Sequence, residues 1–239
     1  MAPAGPRAAD STRAPSRAST APVRILVGNL VALLLLAGTS SAAADALKDM
    51  LGRLQARYET TRTLAADFRQ TIESPTLATP LESKGTVAFE KPNRMRWEYE
   101  APDKQLIIGD GTILWIYQPD DKQAIKAPLG EMFQSTTPVS FLAGLGHIDR
   151  DFNATLEKEE AERWVLRLVP KAKDEKNFGT LVLVVRKSDA GVDEARVTDS
   201  LGTTTRLFLS DEKRNVELDP KLFTFTPPPG VDVVKPPAY

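Results

Sequence analysis

Few side chains in this 239-residue sequence could carry out covalent chemistry. His147 is the only histidine and cysteine is absent, so a Cys-His pair is excluded and any Ser-His-Asp triad would need that single imidazole. No serine lies in a G-x-S-x-G nucleophile elbow, and the sequence has no glycine-rich loop suited to phosphate. We therefore expect a protein that is not an enzyme, with no catalytic residue.

A metal site is the remaining chemistry open to this histidine. His147, Asp149 and Asp151 alternate along the chain and would share one face of a strand, where an imidazole and two carboxylates can bind a divalent ion. The acidic run at residues 157–162 could hold a carboxylate pair, although such a run is typical of an exposed surface. Because one imidazole in a charged turn is weak evidence, we predict solvated loops here and no metal.

The amino terminus has the pattern of a secretory signal peptide. Four arginines precede an apolar run at residues 25–37, and the small residues at positions 42 and 44 fit an A-x-A cleavage site. We predict that residues 1–44 are removed and that residues 45–239 form a single mature domain in the periplasm. An uncleaved membrane anchor is the alternative, but the apolar run is short for a span. Removal of four Arg and one Asp shifts the formal net charge from −1 to −4, so no basic surface for nucleic acid is expected.

Two helices are predicted from apolar positions that recur at steps of three and four residues. The first covers residues 45–61, with Asp45 as its N-cap and an apolar stripe of Leu47, Met50, Leu51, Leu54 and Tyr58. The second is short and covers residues 136–145, where a Thr cap and an early proline come before Phe141, Leu142 and Leu145.

Alternation of apolar and polar side chains predicts β-strands through most of the remaining chain. These segments lie near residues 64–68, 87–99, 106–117, 164–169, 181–185, 194–199 and 203–209, with a last short strand at 223–226. Asp110 and Gly111 predict a tight turn between two antiparallel strands. The pattern indicates a mainly β fold of the α+β class: a strongly curved antiparallel sheet, or incomplete β-barrel, with helices packed on its concave side.

A curved sheet wider than about eight strands has room for a ligand cavity rather than a filled core. Aromatic side chains are available to line such a cavity, namely Trp97, Tyr99, Trp115, Tyr117 and Phe141. The alternative is that each of them fills a β core, and periodicity alone does not choose between these interpretations.

Several segments, in this order, resemble a known family. Residues 89–99 read F-E-K-P-N-R-M-R-W-E-Y, and residues 110–119 read D-G-T-I-L-W-I-Y-Q-P. Together with F-R-Q at 68–70, Pro102 and the ending F-T-F-T-P-P-P-G-V at 223–231, they resemble the outer-membrane lipoprotein carrier protein family over nearly all of residues 45–234.

The resemblance implies an incomplete β-barrel whose helical lid covers an apolar cavity for the acyl chains of lipoproteins. It implies a periplasmic monomer that accepts lipoproteins from an ATP-driven extractor in the inner membrane and passes them to an acceptor lipoprotein on the outer membrane. No cofactor is implied. On this basis the cavity is predicted to be lined by Phe68, Phe89, Met95, Trp97, Tyr99, Trp115, Tyr117, Phe141, Leu142 and Leu145.

A lid latch is also implied by the resemblance. In the family, an arginine before the Pro-Asn step on an early strand hydrogen-bonds the lid, and the matching residue here is Lys91. An ammonium group lacks the planar fork of a guanidinium group, so a differently arranged latch is expected, with Arg94 and Arg96 as nearby substitutes. The alternative is that Lys91 is an exposed turn lysine.

Other functions remain open at this point. A periplasmic sensor of mislocalised lipoproteins would use the same fold and cavity, but such sensors usually carry a second domain. A lipid hydrolase is disfavoured by the missing nucleophile elbow. A carrier of free lipids is harder to separate from a lipoprotein carrier by sequence.

Overall fold

The computed structural model describes residues 37–132, 147–171 and 178–235. The chain divides into one compact unit at Ala43–Tyr239 and a separate unit at Met1–Ala42, which is described only from Ala37 onward. The described helices are α1 (Ala37–Thr60), α2 (Leu129–Met132) and α3 (Ile148–Asp151), and a 3₁₀ helix covers Pro220–Phe223. None of the helices in these ranges combines the length and hydropathy that a membrane span needs.

Twelve strands form one sheet. They are β1 (Thr63–Glu73), β2 (Leu81–Glu90), β3 (Arg94–Ala101), β4 (Gln105–Asp110), β5 (Ile113–Gln118), β6 (Gln123–Pro128), β7 (Phe152–Glu159), β8 (Arg163–Pro170), β9 (Phe178–Arg186), β10 (Val192–Asp199), β11 (Thr204–Arg214) and β12 (Asp232–Val234). The strand order is β12-β6-β5-β4-β3-β2-β1-β11-β10-β9-β8-β7. Neighbouring strands are antiparallel, except that β12 runs parallel to β6.

The sheet does not close on itself, because β12 and β7 are its two edges and do not pair with each other. A right-handed twist accumulated over twelve strands curls such a sheet toward a barrel. The predicted fold class, a mainly β protein built on an incomplete barrel, is therefore confirmed.

One face of the sheet, which we call the inner face, is covered on one half by α1. Met50 and Leu54 of α1 are buried against strands β8 and β9, where Leu166 and Leu183 are fully buried. The complete set, called here the α1 cluster, contains Met50, Leu54, Ile148, Phe152, Trp164, Leu166, Leu168, Leu181, Leu183, Val185, Ala190 and Ala195. The apolar stripe predicted for the first helix is thus the surface that the helix buries, because side chains three and four residues apart lie on one helix face.

The other half of the inner face carries a second group of buried apolar residues, called here the aromatic cluster. It contains Ala66, Phe68, Val87, Phe89, Met95, Trp97, Leu114, Leu129 and Leu207. Leu207 pairs directly with Ala195 of the α1 cluster, and directly opposed residues of antiparallel strands point to the same face. Both clusters therefore form one apolar surface across the sheet.

The opposite, outer face is covered by the segment that follows β11. Phe223, in the 3₁₀ helix, is almost fully buried, and Ile108 of β4 is buried on the same side. Arg96 of β3 donates a hydrogen bond of 3.2 Å to the Leu222 carbonyl oxygen, and Phe225 packs against the rings of Trp115 and Tyr117. The chain then adds β12 to the edge of the sheet.

Most predicted elements are confirmed, and three details are wrong. The tight turn at Asp110 and Gly111 joins β4 to β5, and Gly111 has the positive φ of 104° that favours glycine. The first helix begins at Ala37, so Asp45 lies inside it and is not an N-cap. The strand predicted at 223–226 is absent, because Phe223 ends a 3₁₀ helix and residues 224–226 pair with no strand. His147, Asp149 and Asp151 do not alternate along a strand, because Ile148–Asp151 is a helical turn.

The second predicted helix, residues 136–145, lies outside the described residues. Three strands were missed by the sequence pattern, β6, β7 and β12. Strand β7 contains part of the acidic run interpreted as a surface turn, and its side chains from Glu157 to Glu159 are indeed exposed.

A substitution at Gly85 tests the close packing of the sheet. A Cβ atom at Gly85 of β2 would overlap the backbone carbonyl oxygen of Glu98 on β3, so the strands would have to separate. We expect Gly85→Ala to lower the free energy of unfolding by about 1–3 kcal/mol, as other overpacked substitutions do. The measurement is urea unfolding followed by circular dichroism.

The matched control is Gly52→Ala in α1, where an added Cβ meets no atom within 4 Å. Alanine is the better helix former, so this variant should gain up to about 1 kcal/mol. Equal stability of the two variants would contradict the strand spacing described here.

Candidate functional site

A cavity lies between the carboxyl-terminal end of α1 and the inner face of the sheet. Its apolar wall is formed by Leu54 of α1 with Leu64, Phe89 and Leu209 of the sheet. Charged side chains stand at its rim, namely Arg57, Arg62, Lys91, Glu212 and Arg214. The cavity volume is about 70 Å³, well below the roughly 300 Å³ at which pockets for drug-sized ligands begin. In this state α1 occupies space that a larger apolar ligand would need.

Five of the residues predicted to line a cavity come together on the inner face. They are Phe68 of β1, Phe89 of β2, and Met95, Trp97 and Tyr99 of β3. The ring of Phe68 stands edge-on to both Trp97 and Tyr99, with centroid distances of 5.0 and 4.9 Å. Phe89 lies directly opposite Met95, and Phe68 and Tyr99 lie on either side of Gly85 in the strand between them, so the alternating pattern builds one continuous apolar patch.

Trp115 and Tyr117 do not belong to this patch. Trp115 pairs with Ile108 and Tyr117 with Leu106, whereas the intervening Ile116 pairs with Ile107 and packs on the aromatic cluster. The two aromatic rings therefore point to the outer face, where Phe225 lies 5.5 Å from Trp115 and 5.2 Å from Tyr117 between ring centroids. The prediction that they line the cavity is corrected: they pack on the carboxyl-terminal segment.

The remaining predicted cavity residues, Phe141, Leu142 and Leu145, lie outside the described residues. The structure adds inner-face residues that the sequence pattern did not single out, namely Leu64, Leu114, Ile116, Leu207 and Leu209. Their signal was present, because each one shares the period of a recognised strand. They were missed because aromatic side chains were favoured over aliphatic ones.

Lys91 contacts the last turn of α1. Its ammonium group donates a hydrogen bond to the backbone carbonyl of Tyr58 and lies 4.5 Å from the centroid of the Tyr58 ring. Burial lowers the pKa of Lys91 below its usual range, and the nearby carboxylate of Glu59 partly opposes that shift. A cation at this position is favourable, because the carboxyl-terminal end of a helix carries partial negative charge.

Arg94 and Arg96, the substitutes considered for this contact, have other partners. Arg94 pairs with Glu90 at 3.0 Å on the surface. Arg96 points to the outer face, where it pairs with Glu98 at 2.8 Å besides its hydrogen bond to Leu222. Of the three basic residues, Lys91 is therefore the one that the structure places against α1.

A second charged contact holds α1 from the other side and was not predicted. The guanidinium group of Arg57 pairs with Asp189 at 2.7 Å and with Glu212, and the Arg57 and Glu212 side chains are only 10% and 12% exposed. Arg186 binds both carboxylates, and its hydrogen bonds to Asp189 hold the pKa of that carboxyl well below its usual range. These partners lie 132 and 155 residues from Arg57, so no local sequence pattern marks them.

The candidate metal residues do not form a site. The His147 ring lies 3.4 Å from the Gln55 amide nitrogen, while the His147 backbone N–H donates to the Asp151 carboxylate at 2.8 Å. Asp151 also pairs with Arg150, which lowers the pKa of that carboxyl. Within the described ranges, His, Asp and Glu side chains nowhere cluster in threes around a possible ion position.

Comparison with known proteins identifies the family of this architecture. The family model described as "Outer membrane lipoprotein carrier protein LolA" matches residues 59–226. The outer-membrane lipoprotein carrier protein of Chromobacterium violaceum is 35% identical over 192 residues, which cover 80% of this chain and 90% of that protein. The protein of the same name from Dechloromonas aromatica is also 35% identical, over 88% of this chain and 96% of its own length.

Among solved structures, an uncharacterized conserved protein from Thermus thermophilus has a TM-score of 0.52 at 15% identity. The alignment covers 80% of this chain and 99% of that protein, and at this identity it supports the fold alone. The inner-face cavity, the open twelve-stranded sheet and the extent of the family match lead to one conclusion: this chain belongs to the outer membrane lipoprotein carrier protein (LolA) family.

Proposed function

We propose that this protein carries acylated lipoproteins across the periplasm, from an ATP-driven extractor in the inner membrane to an acceptor lipoprotein on the outer membrane. The observation that carries the proposal is the continuous apolar inner face, on which the α1 cluster and the aromatic cluster meet. The names of its relatives support lipoproteins as the cargo. The extractor and the acceptor are part of the proposal.

The proposed export follows from the sequence. Residues 1–44 act as a cleaved signal peptide, and residues 45–239 work as one monomeric carrier domain in the periplasm. Catalysis is not part of this proposal. The His147 ring contacts an amide rather than a nucleophile, and the acidic side chains of β7 are exposed to solvent.

The energetics of acyl chains explain why a carrier is needed. Each buried methylene contributes about 0.8 kcal/mol, so two or three long chains represent tens of kcal/mol that prevent free diffusion through water. The protein must therefore offer the acyl chains an apolar surface that replaces the hydrocarbon they leave in the membrane. Residues of the aromatic cluster, especially Met95 and Trp97, are proposed to contact the chains, together with Phe141 in the segment outside the described residues.

Release requires that binding is not too strong. In the closed state Leu54 and Met50 of α1 occupy part of the surface that the cargo would use. Cargo binding then has to displace α1, and the free energy of that displacement is subtracted from the intrinsic affinity. We propose that Lys91, through its bond to the end of α1, stabilises the closed state and so favours release.

Transfer from a membrane is the direct test of this function. Inner-membrane vesicles that contain newly acylated lipoprotein and the matching extractor are incubated with the purified protein and ATP, and the soluble fraction is assayed. We expect a soluble one-to-one complex of lipoprotein and carrier, because the inner face would shield the acyl chains. Reactions without ATP, or with a cargo that lacks the lipidated cysteine, serve as controls. A folded protein that leaves all lipoprotein in the membrane would instead favour a sensor or a carrier of free lipid.

A photocrosslinking pair tests which face of the sheet holds the acyl chains. Tyr99 lies on the inner face and Tyr117 on the outer face, so replacing each with p-benzoylphenylalanine places the same probe on opposite sides. We expect light-dependent crosslinks to radiolabelled acyl chains from position 99 and none above background from position 117. The reverse pattern would mean that the outer face is the binding surface.

The Lys91 contact makes a prediction about affinity. Lys91→Ala removes the bond to the Tyr58 carbonyl, which we expect to contribute ~1 kcal/mol because the ammonium group is partly exposed. The affinity for a soluble acyl ligand should then rise roughly fivefold, and transfer to the acceptor should slow. Dissociation constants come from fluorescence titration.

Two variants control for the charge change. Lys91→Arg keeps a cation near Tyr58 and should bind like the wild type. Lys126→Ala removes a lysine that stands 5.2 Å over the Trp115 ring on the outer face, and it should leave affinity unchanged. Wild-type affinity in Lys91→Ala would show that this lysine does not act on the closed state.

A further inference from the structure

The indole N–H of Trp97 is a buried donor without an acceptor among the described residues. The Trp97 side chain is 3% exposed, and Nε1 makes no hydrogen bond to any residue in the described ranges. Buried tryptophans usually find a partner for this group, because an unmet donor loses its hydrogen bond to water without replacement. A phenylalanine would supply an apolar ring at this position without that loss.

The surroundings of Trp97 explain why the donor stays unmet. Phe68 and Phe89 stand edge-on to its ring, with centroid distances of 5.0 and 5.8 Å and interplanar angles of 65° and 83°. Tyr99, two residues along β3 on the same face, donates its hydroxyl to the Gln70 amide oxygen at 3.1 Å. That amide oxygen accepts from Tyr99, and the members of the aromatic cluster around Trp97 offer no nitrogen or oxygen acceptor in their side chains.

Trp164, the other tryptophan on the inner face, differs in its environment. Its ring lies under two cations, Arg53 at 5.1 Å and Lys187 at 5.9 Å from the centroid. Its indole N–H also lacks a hydrogen bond of normal geometry within the described ranges, yet a carboxylate is close. The pKa of Glu159 is lowered first by Lys187 and, to a lesser extent, by its approach to Trp164. Trp97 has no comparable charged neighbour in the described part of the chain, and it lies in the aromatic cluster proposed to face the cargo.

We propose that the Trp97 indole N–H donates a hydrogen bond to the carbonyl oxygen of an acyl ester or amide in the bound lipid. An acyl chain differs from an alkyl chain of equal length by this one polar atom, which is an acceptor that Trp97 otherwise lacks. Trp97 thus recognises an acyl linkage, while the rest of the aromatic cluster recognises only hydrocarbon. This inference rests on the proposed function, since it concerns the same cavity.

The bond acts differentially on the two states of the protein. In the closed state the donor has no acceptor in the described part of the chain, whereas in the loaded state it has one in a medium of low polarity, where hydrogen bonds are strong. Only an interaction that differs between states shifts an equilibrium. Trp97 therefore favours opening for a ligand that carries a carbonyl at the head of its chain.

The test compares two lipids that differ only in that carbonyl group. Myristoyl lysophosphatidylcholine and its tetradecyl ether analogue are titrated, below their micelle concentrations, into the purified protein by calorimetry. We expect the wild-type protein to bind the ester roughly five- to tenfold more tightly than the ether, the range for one hydrogen bond. Trp97→Phe should bind both lipids with the affinity that the wild type shows for the ether. Trp115→Phe, the same change on the outer face, should retain the preference.

A second measurement does not depend on any variant remaining folded. In wild-type protein labelled with ¹⁵N at the tryptophan indoles, the Trp97 N–H proton resonance should move downfield with the ester and not with the ether. Equal affinity for both lipids, or a preference that survives in folded Trp97→Phe, would overturn the role of Trp97 while leaving the carrier function intact. If neither lipid binds and lipoprotein also stays in the membrane in the transfer assay, both the inference and the proposed function are overturned.

Discussion

Burial of the inner face beneath α1 is the interaction on which the rest of the structure depends. A sheet of twelve strands that does not close leaves a broad apolar surface, and such a surface is unstable in water unless another element covers it. Met50 and Leu54 cover the part formed by β8 and β9, and this contact fixes where the helix lies. The outer face is sealed differently, by Phe223 and Phe225 in the segment after β11. The outer face is thus covered by an extended segment of the chain, whereas part of the inner face is covered by a helix with which a ligand can compete for the same apolar surface.

The contacts at the end of α1 are polar on both sides, and this has a consequence for motion. Arg57 reaches Asp189 and Glu212 on one side, while Lys91 holds the last turn on the other. Charged contacts fix the helix in one register. When the helix moves outward, water can replace the partners of these charged groups, and this limits the free energy required for opening. An entirely apolar contact at this rim would lose its full burial energy on opening. The arrangement suits a helix that has to return to one defined position.

The sequence predicted the parts of this fold that depend on neighbouring residues. Alternation located most strands, the stripe around Met50 and Leu54 gave the buried face of α1, and Asp110-Gly111 gave a turn. Parts that depend on distant pairing were missed, since the Arg57 partners are more than 130 residues away. Strand β6 lacks strong alternation, and the alternation of Phe152, Ala154 and Leu156 in β7 was overlooked beside the acidic run. The misplacement of Trp115 is of a different kind. Its own strand alternates, so Trp115 and Ile116 must face opposite sides, but only the pairing with β4 shows that Ile116 is the inner one.

A carrier must also give up what it binds, and apolar area alone would make that difficult. At about 0.8 kcal/mol per methylene, a cavity complementary to several acyl chains would bind almost irreversibly. The closed state described here reduces that affinity, because α1 occupies part of the inner face and the cavity beside it has a volume of only about 70 Å³.

Competition of this kind lowers the affinity for every apolar ligand equally and gives no selectivity. The Trp97 indole N–H, which has no acceptor among the described residues, supplies what competition lacks, since it favours ligands with a carbonyl while adding little total affinity. Selectivity and release are then set by different residues of the same face.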